Sequence, residues 1–435
     1  MHTFDLSLGE ITKVEGAASL DLSVKDNKVT SVKFKIDEHK RFYTQAMRGK
    51  MVMALPQLLA RICGTCSNAH LLCSIESCEN ALGIEVSQQT NILRDLTMDG
   101  LMIRDHALHL YLFSMPDIFG KDNFLSFDED DETEHQMLHD AFEIKAVGDG
   151  LAKLVSGRSV HAMFPTIGGF NNEVKKEDIA PIMEKLKKTR PAVLRLMEVF
   201  AEADFHLDRE TQFMAIVGDN EFNYLRGKLK TSDGMEKDEK EFRDHLEHVV
   251  LPYSQASGYK YKGTSFMVGS MARINLAKEL LEDETKKDAK KYLDMFPTTD
   301  IFQNNLAQAI EILNSIDHAI KVFATTEFKK EDLIKAEPPK EETVGIGVIE
   351  APRGTLYHKI VLQPDNKVKE GEIIVPTGQN QINIEQDIKT LVEKNLDKLD
   401  KDGMAMEIEK LIRAYDPCMS CGSHFLKVNW NEEKI

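Results

Sequence analysis

Two short cysteine motifs near opposite ends of the chain constrain its fold more than any other feature of its 435 residues. The first is Arg61-Ile62-Cys63-Gly64-Thr65-Cys66, with His70 following; the second is Asp416-Pro417-Cys418-Met419-Ser420-Cys421, followed by His424. A Cys-x-x-Cys turn points two sulfurs at one place, and two such turns supply four thiolates to a soft metal. Any fold that uses both must bring its two ends together. Structural zinc uses the same four-sulfur set and is the commoner occupant of a paired pattern taken alone. Zinc pairs that staple small units lie close in sequence, whereas here most of the chain separates them. A chain this long buries a core without a staple, and the flanking Arg-x-Cys-Gly and Asp-Pro-Cys contexts have no zinc rationale. The spacing therefore favours a metal centre of another kind.

Composition fits a large enzyme subunit, with 42% hydrophobic residues and a net charge of −17. That charge speaks against nucleic acid as a partner, because phosphate repels such a surface. No stretch approaches the apolar length of a membrane span, and the polar start Met1-His2-Thr3-Phe4-Asp5 does not read as a signal peptide. Six cysteines, four of them in metal-type pairs, suit a reducing, cytoplasmic setting rather than a disulfide framework. Any membrane association would run through partner subunits.

The pattern predicts an α+β fold, mainly helical, with β structure at two places. Ala18 to Ile36 alternates about Lys25-Asp26-Asn27-Lys28 and reads as a hairpin. A helix is expected after Cys66, with Leu71, Leu72, Ile75, Cys78 and Leu82 on one face, and a long buried one over Asn91–Phe113. Ile301, Leu306, Ile310, Leu313, Ile316, Ile320 and Phe323 form a further helical stripe. Strands and loops are expected from Val344 to Thr377, then a last helical segment from Gln386 to Ala414. Asp128–Glu132, Thr231–Lys240 and Ala336–Glu342 read as surface loops or connectors. One large domain over 1–435 is expected, with lobes at 1–60, 61–335 and 336–435.

Both cysteine motifs are complete signatures of the large subunit of nickel–iron hydrogenases, which the chain resembles. Further blocks follow in that family's order. Ile11-Thr12-Lys13-Val14-Glu15-Gly16 resembles its N-terminal motif, with Ala17 in place of the usual histidine. Gly157-Arg158-Ser159-Val160-His161 resembles a Gly-Arg-x-x-His stretch, with Ala162 where proline is usual. Glu350-Ala351-Pro352-Arg353-Gly354, continuing to His358, and Val375-Pro376-Thr377-Gly378-Gln379-Asn380 match two later blocks.

The resemblance implies a catalytic subunit that splits H2 heterolytically at a nickel–iron centre, the iron carrying carbon monoxide and cyanide. Cys63 and Cys418 would be terminal nickel ligands, and Cys66 and Cys421 would bridge to iron. Arg353 and the Thr377 hydroxyl would donate to cyanide, and His70 to a bridging thiolate, with Asp105 and Asp416 around the iron. Cys418 would act as base and Glu15 as proton relay, since a partly desolvated carboxyl can shuttle protons near neutral pH. Magnesium at His424 is expected in the family. However, Thr44 stands where many members place a carboxylate ligand, and Glu38 is the nearby acidic residue. The resemblance also implies proteolysis just after His424, removing Phe425 to Ile435, with a permanently retained C-terminus as the alternative. Cys73 and Cys78 have no family role and read as small buried hydrophobes.

Two spare cysteines cannot hold a four-cysteine cluster, so an iron–sulfur small subunit is implied, with further electron-transfer subunits and maturation proteins. Two other classes remain beside the enzyme. A hydrogen-sensing regulatory subunit would share the metal site. A non-redox relative, of the kind found in respiratory complex I, would lack the cysteines retained here.

Overall fold

The computed structural model describes residues 2–39, 41–238, 241 and 245–423. The fold is mixed, about 47% helix and 19% strand, and its two ends meet. At the start, Phe4–Leu8, Ala18–Lys25 and Lys28–Ile36 form an antiparallel sheet in chain order. Its hairpin turns at Asp26 and Asn27, both with positive φ, as tight primed turns require. Leu20, Leu22, Val24, Phe34 and Ile36 point inward from this sheet. The sheet lies against a late helix, Pro376–Asn395, where Gln381 donates to the Phe34 carbonyl at 2.8 Å and Glu385 accepts from Phe34 N–H at 3.0 Å.

Four long helices build the centre: Gln88–Leu108, Glu132–Ser156, Lys176–Ala201 and Gln303–Thr325. The helical path expected over Asn91–Phe113 exists, but it widens into a π-turn at His109–Ser114. Pro116 follows and has no N–H to continue the ladder. The acidic run Asp128–Glu132 is exposed as expected, and Asp131 caps the next helix by accepting from Thr133 and Glu134.

The Ser67–Leu82 helix is buried on nearly every side rather than along one face. A second antiparallel sheet, Thr343–Ala351, Gly354–Leu362 and Val368–Ile374, packs on it. Glycine permits that approach. A side chain at Gly345 would run into the Ser77 carbonyl, and one at Gly347 into that of Cys73.

Three expectations need correction. The central region is not purely helical: Gln212–Val217, Lys228–Thr231, Glu236–Lys237 and Phe266–Met267 form a four-stranded sheet. Part of the expected loop at 231–240 is therefore a hairpin. Two of these strands are too short for alternation to show, and Gln212–Val217 is buried almost throughout. The last helical segment starts ten residues earlier than expected, at Pro376, where proline fits the first turn. It also stops at Asn395, and a second helix, Lys401–Ala414, begins after Asp400, whose side chain accepts from Gly403 N–H. Polar residues buried along Gln379–Asn383 hid the first of these helices from hydrophobic periodicity.

Candidate metal centre

Each cysteine motif is fixed by its local backbone. Cys66 caps the Ser67–Leu82 helix, and one turn on His70 N–H donates to the Cys66 carbonyl at 3.1 Å. The second motif is stitched to the N-terminal segment. Residue 15 pairs with residue 418 in a parallel bridge, and Met419 N–H donates to the Glu15 carbonyl at 2.9 Å. Cys418 N–H donates to Thr377 Oγ1 at 3.0 Å. Asp416 has φ of 50°, a left-handed conformation that a short polar side chain tolerates. Arg353 holds it there through the Asp416 carbonyl at 3.0 Å and carboxylate at 2.8 Å, and Gln308 donates to its other oxygen at 2.9 Å.

The four sulfurs converge. Cys63 and Cys418 are 3.3 Å apart, Cys418 and Cys421 are 3.0 Å apart, and all four lie within 4.8 Å of one another in a buried pocket. Hydrogen bonding from Cys418 pulls the Cys63 thiol well below its usual range. Hydrogen bonds from Cys418 and Cys421, helped by the Arg353 charge, bring Cys66 down to about 6. Burial pushes Cys418 well up. A metal that binds such a cluster takes thiolates and releases their hydrogens.

Four sulfurs alone would suit zinc as well. The ring of polar groups around them is what a plain zinc staple does not need. Arg353 Nη1 lies 3.2 Å from Cys66 Sγ and also pairs with Asp105. Glu15 Oε2 accepts from Cys418 Sγ at 3.0 Å and from Ser420 N–H at 3.0 Å. His70 Nε2 lies 3.5 Å from Cys421 Sγ, and burial pushes its ring down to about 4, so it is neutral. The structure thus brings Cys63, Cys66, Cys418, Cys421, Glu15, Arg353, His70, Asp105, Thr377 and Asp416 to one place.

A family model described as nickel-dependent hydrogenase matches residues 41–145 and 209–424, which include both motifs. The chain belongs to the nickel-dependent hydrogenase family. It is 30% identical to sulfhydrogenase 2 subunit alpha of Pyrococcus furiosus over 97% of this chain and 100% of that protein. It is 26% identical to the NAD-reducing hydrogenase HoxS subunit beta of Cupriavidus necator, over 97% of this chain and 95% of that protein. Its fold matches an NAD+-reducing [NiFe]-hydrogenase crystallised in the H2-reduced state, with a TM-score of 0.83 and 20% identity. That match covers 98% of this chain and 100% of the other. This hydrogenase subunit splits H2 at a nickel–iron centre, and the buried four-cysteine cluster is a fitting place for that centre.

Among hydrogenase residues that sequence reasoning missed, the most telling is Arg273. It is buried, donates to Glu311 at 2.5 and 2.7 Å and to Glu350 at 2.8 Å, and grips the carbonyls of Ala351 and Pro352 at 3.1 and 3.0 Å. It therefore braces the turn that presents Arg353. His106 joins Glu311 at 2.9 Å. No motif marks Arg273; only Glu350 fell within a recognised block. His424 and the tail to Ile435 lie outside the described residues, and so do the expectations of magnesium at His424 and of cleavage there. Thr44 lines a cavity of about 480 Å³ together with Arg48, His248 and Glu372.

Proposed function

We propose that Cys63, Cys66, Cys418 and Cys421 would together hold the nickel–iron centre, Cys63 and Cys418 serving nickel alone and Cys66 and Cys421 serving both metals. When bound, this soft, redox-active pair supplies the electron-pair acceptor for the splitting of H2. The chain's own part is to orient the pair and to take the proton away. The Arg353 guanidinium and the Thr377 hydroxyl lie beside the sulfurs and would serve as donors to the iron's small ligands when these are bound. Asp105 and Asp416 fix the guanidinium on either side. His70 donates to Cys421.

Cys418 takes the proton, and Glu15 receives it at Oε2. The 3.0 Å contact between Cys418 Sγ and Glu15 Oε2 is the observation that carries this reading, because it is within the reach needed for direct transfer. Glu15 is half-buried, so the proton gains an exit toward solvent. Electrons need a different exit. Cys73 and Cys78 are buried elsewhere and cannot form a cluster site. An iron–sulfur small subunit therefore receives the electrons, with further electron-transfer subunits beyond it. Maturation proteins install the carbon monoxide and cyanide, which no side chain can provide. No helix among the described residues is long and apolar enough to cross a membrane, and the cysteine usage supports a cytoplasmic enzyme.

Nickel and iron analysis of matured protein, together with infrared bands of carbon monoxide and cyanide, tests this reading. Near-stoichiometric zinc without nickel or iron would overturn it.

A further inference from the structure

We infer that His358 is a positioning residue for the metal centre: by donating from Nε2 to Nδ1 of His70, it fixes the tautomer of His70 that presents Nε2–H to Cys421. The inference rests on the nickel–iron reading above and adds a residue to which that reading gives no task.

The geometry is a two-ring relay. His70 Nε2 is 3.5 Å from Cys421 Sγ, and His70 Nδ1 is 3.2 Å from His358 Nε2. The ring centroids are 5.4 Å apart and the planes are inclined by 30°. His70 is 1% exposed and His358 0%, so water does not choose the tautomer. One hydrogen occupies the gap between the facing nitrogens, so one ring donates and the other accepts. If His358 donates, neutral His70 must carry its hydrogen on Nε2, where it supports a thiolate at Cys421. If His70 donates instead, its bare Nε2 lone pair faces the sulfur and opposes negative charge there. The direction of one hydrogen bond, two groups away, thus sets the electron density of a bridging sulfur.

The backbone holds both rings rigidly. His70 sits in the first turn of the Ser67–Leu82 helix. His358 sits in the middle strand of its sheet, paired with Gly347 on one side and Ile373 on the other. Gly347 is also one of the two glycines, with Gly345, at which the sheet closes onto that helix. The glycine contact and the histidine contact therefore define the same helix–sheet spacing.

The test uses the holoenzyme and two variants. His358→Leu removes the donor, whereas His358→Gln places an amide nitrogen near the position of Nε2. In His358→Leu with full nickel and iron, the carbon monoxide band should move and turnover should fall about tenfold. His358→Gln should restore both. A wild-type band and turnover in His358→Leu, or equal displacement in both variants, would overturn the inference. Should His358→Leu not fold, His358→Asn replaces it, since its amide is too short to reach His70. Identical bands in the Asn and Gln variants would then count against the relay, and a displacement confined to Asn would support it. Wild-type protein without these infrared bands would instead overturn the nickel–iron reading itself.

Discussion

Two buried arginines lie on either side of one turn. Arg353 is 3% exposed and sits between Asp105 and Asp416; Arg273 is 1% exposed and sits between Glu311 and Glu350. Both guanidiniums are raised above their usual range: burial alone would lower them, and the flanking carboxylates prevail. By burial, charge pairing and proton affinity they are alike. They differ in company. Arg353 reaches a cysteine sulfur, whereas Arg273 reaches the carbonyls of the residues just before Arg353. One faces the chemistry and the other holds up the first. A buried ion pair therefore does not by itself mark a functional site, because a brace perturbs its groups as strongly.

The largest effect expected from this contrast falls on stability. Arg273→Leu leaves Glu311 and Glu350 buried without their cation, at a cost of about 3–5 kcal/mol, measurable by denaturant unfolding. The pH dependence follows from Glu311. Burial would raise this carboxyl, but Arg273 and His106 override it and hold it at about 2, against an ordinary 4.5. A depressed folded value adds stability that is present above the ordinary value and lost as pH falls toward 2. In Arg273→Leu burial is opposed only by His106 and a few neutral donors, so the penalty should shrink as pH falls and the carboxyls protonate. A pH-independent cost below about 1 kcal/mol would show that Arg273 is no brace.

Next comes the proton route, which belongs to the Arg353 side alone. Glu15→Gln keeps the acceptor oxygen beside Cys418 but cannot carry a proton onward. Turnover and hydrogen–deuterium exchange should fall together by about 100-fold, with nickel, iron and unfolding midpoint unchanged. Exchange at the wild-type rate would mean that protons leave elsewhere.

Much of the site was legible in the sequence for a physical reason. Thiolate chemistry needs particular residue types at fixed spacing, and Cys63, Cys66, Cys418 and Cys421 carry that spacing openly. Glu15, Arg353, His70, Asp105, Thr377 and Asp416 came with the family's blocks, and folding gathers them around the four sulfurs. The supports were not legible. Arg273 and Glu311 are charged residues at helical positions, which read as solvated until the fold buries them. Strands as short as Glu236–Lys237 and Phe266–Met267 show no alternation, and their pairing partners are distant or follow a turn. The first half of the helix at Pro376 carries buried amides, satisfied by hydrogen bonds that the sequence does not display, and its apolar stripe begins only near Ile384. His358 was visible as a letter in a motif, but its contact with His70 exists only once the sheet meets the helix.

A smaller effect separates charge from shape at Arg353. Arg353→Lys keeps a cation between Asp105 and Asp416, so unfolding should change little. Lysine lacks the planar fork that reaches Asp416 and Cys66 together. Turnover should fall about tenfold with shifted cyanide bands. Wild-type bands would place Arg353 with the braces.

The smallest effect tests the same lesson in cysteine chemistry. All six cysteines are buried, so burial does not distinguish ligands from core any better than it does for arginine. Cys78 has the Val52 carbonyl 4.0 Å from its sulfur, and burial pushes its thiol up to about 12. It stays protonated, as a small hydrophobe does, whereas Cys66 in the pocket is held near 6 by neighbouring thiols. Removing one sulfur atom from a packed core costs about 1 kcal/mol. Cys78→Ala should therefore lower the unfolding midpoint slightly and leave nickel, iron and turnover intact. Cys421→Ser, an equally small change at an equally buried position, should empty the site of nickel, because oxygen is a harder ligand and serine does not ionise at working pH. A loss of nickel in Cys78→Ala comparable to that in Cys421→Ser would mean that the helix behind the first motif does more than pack.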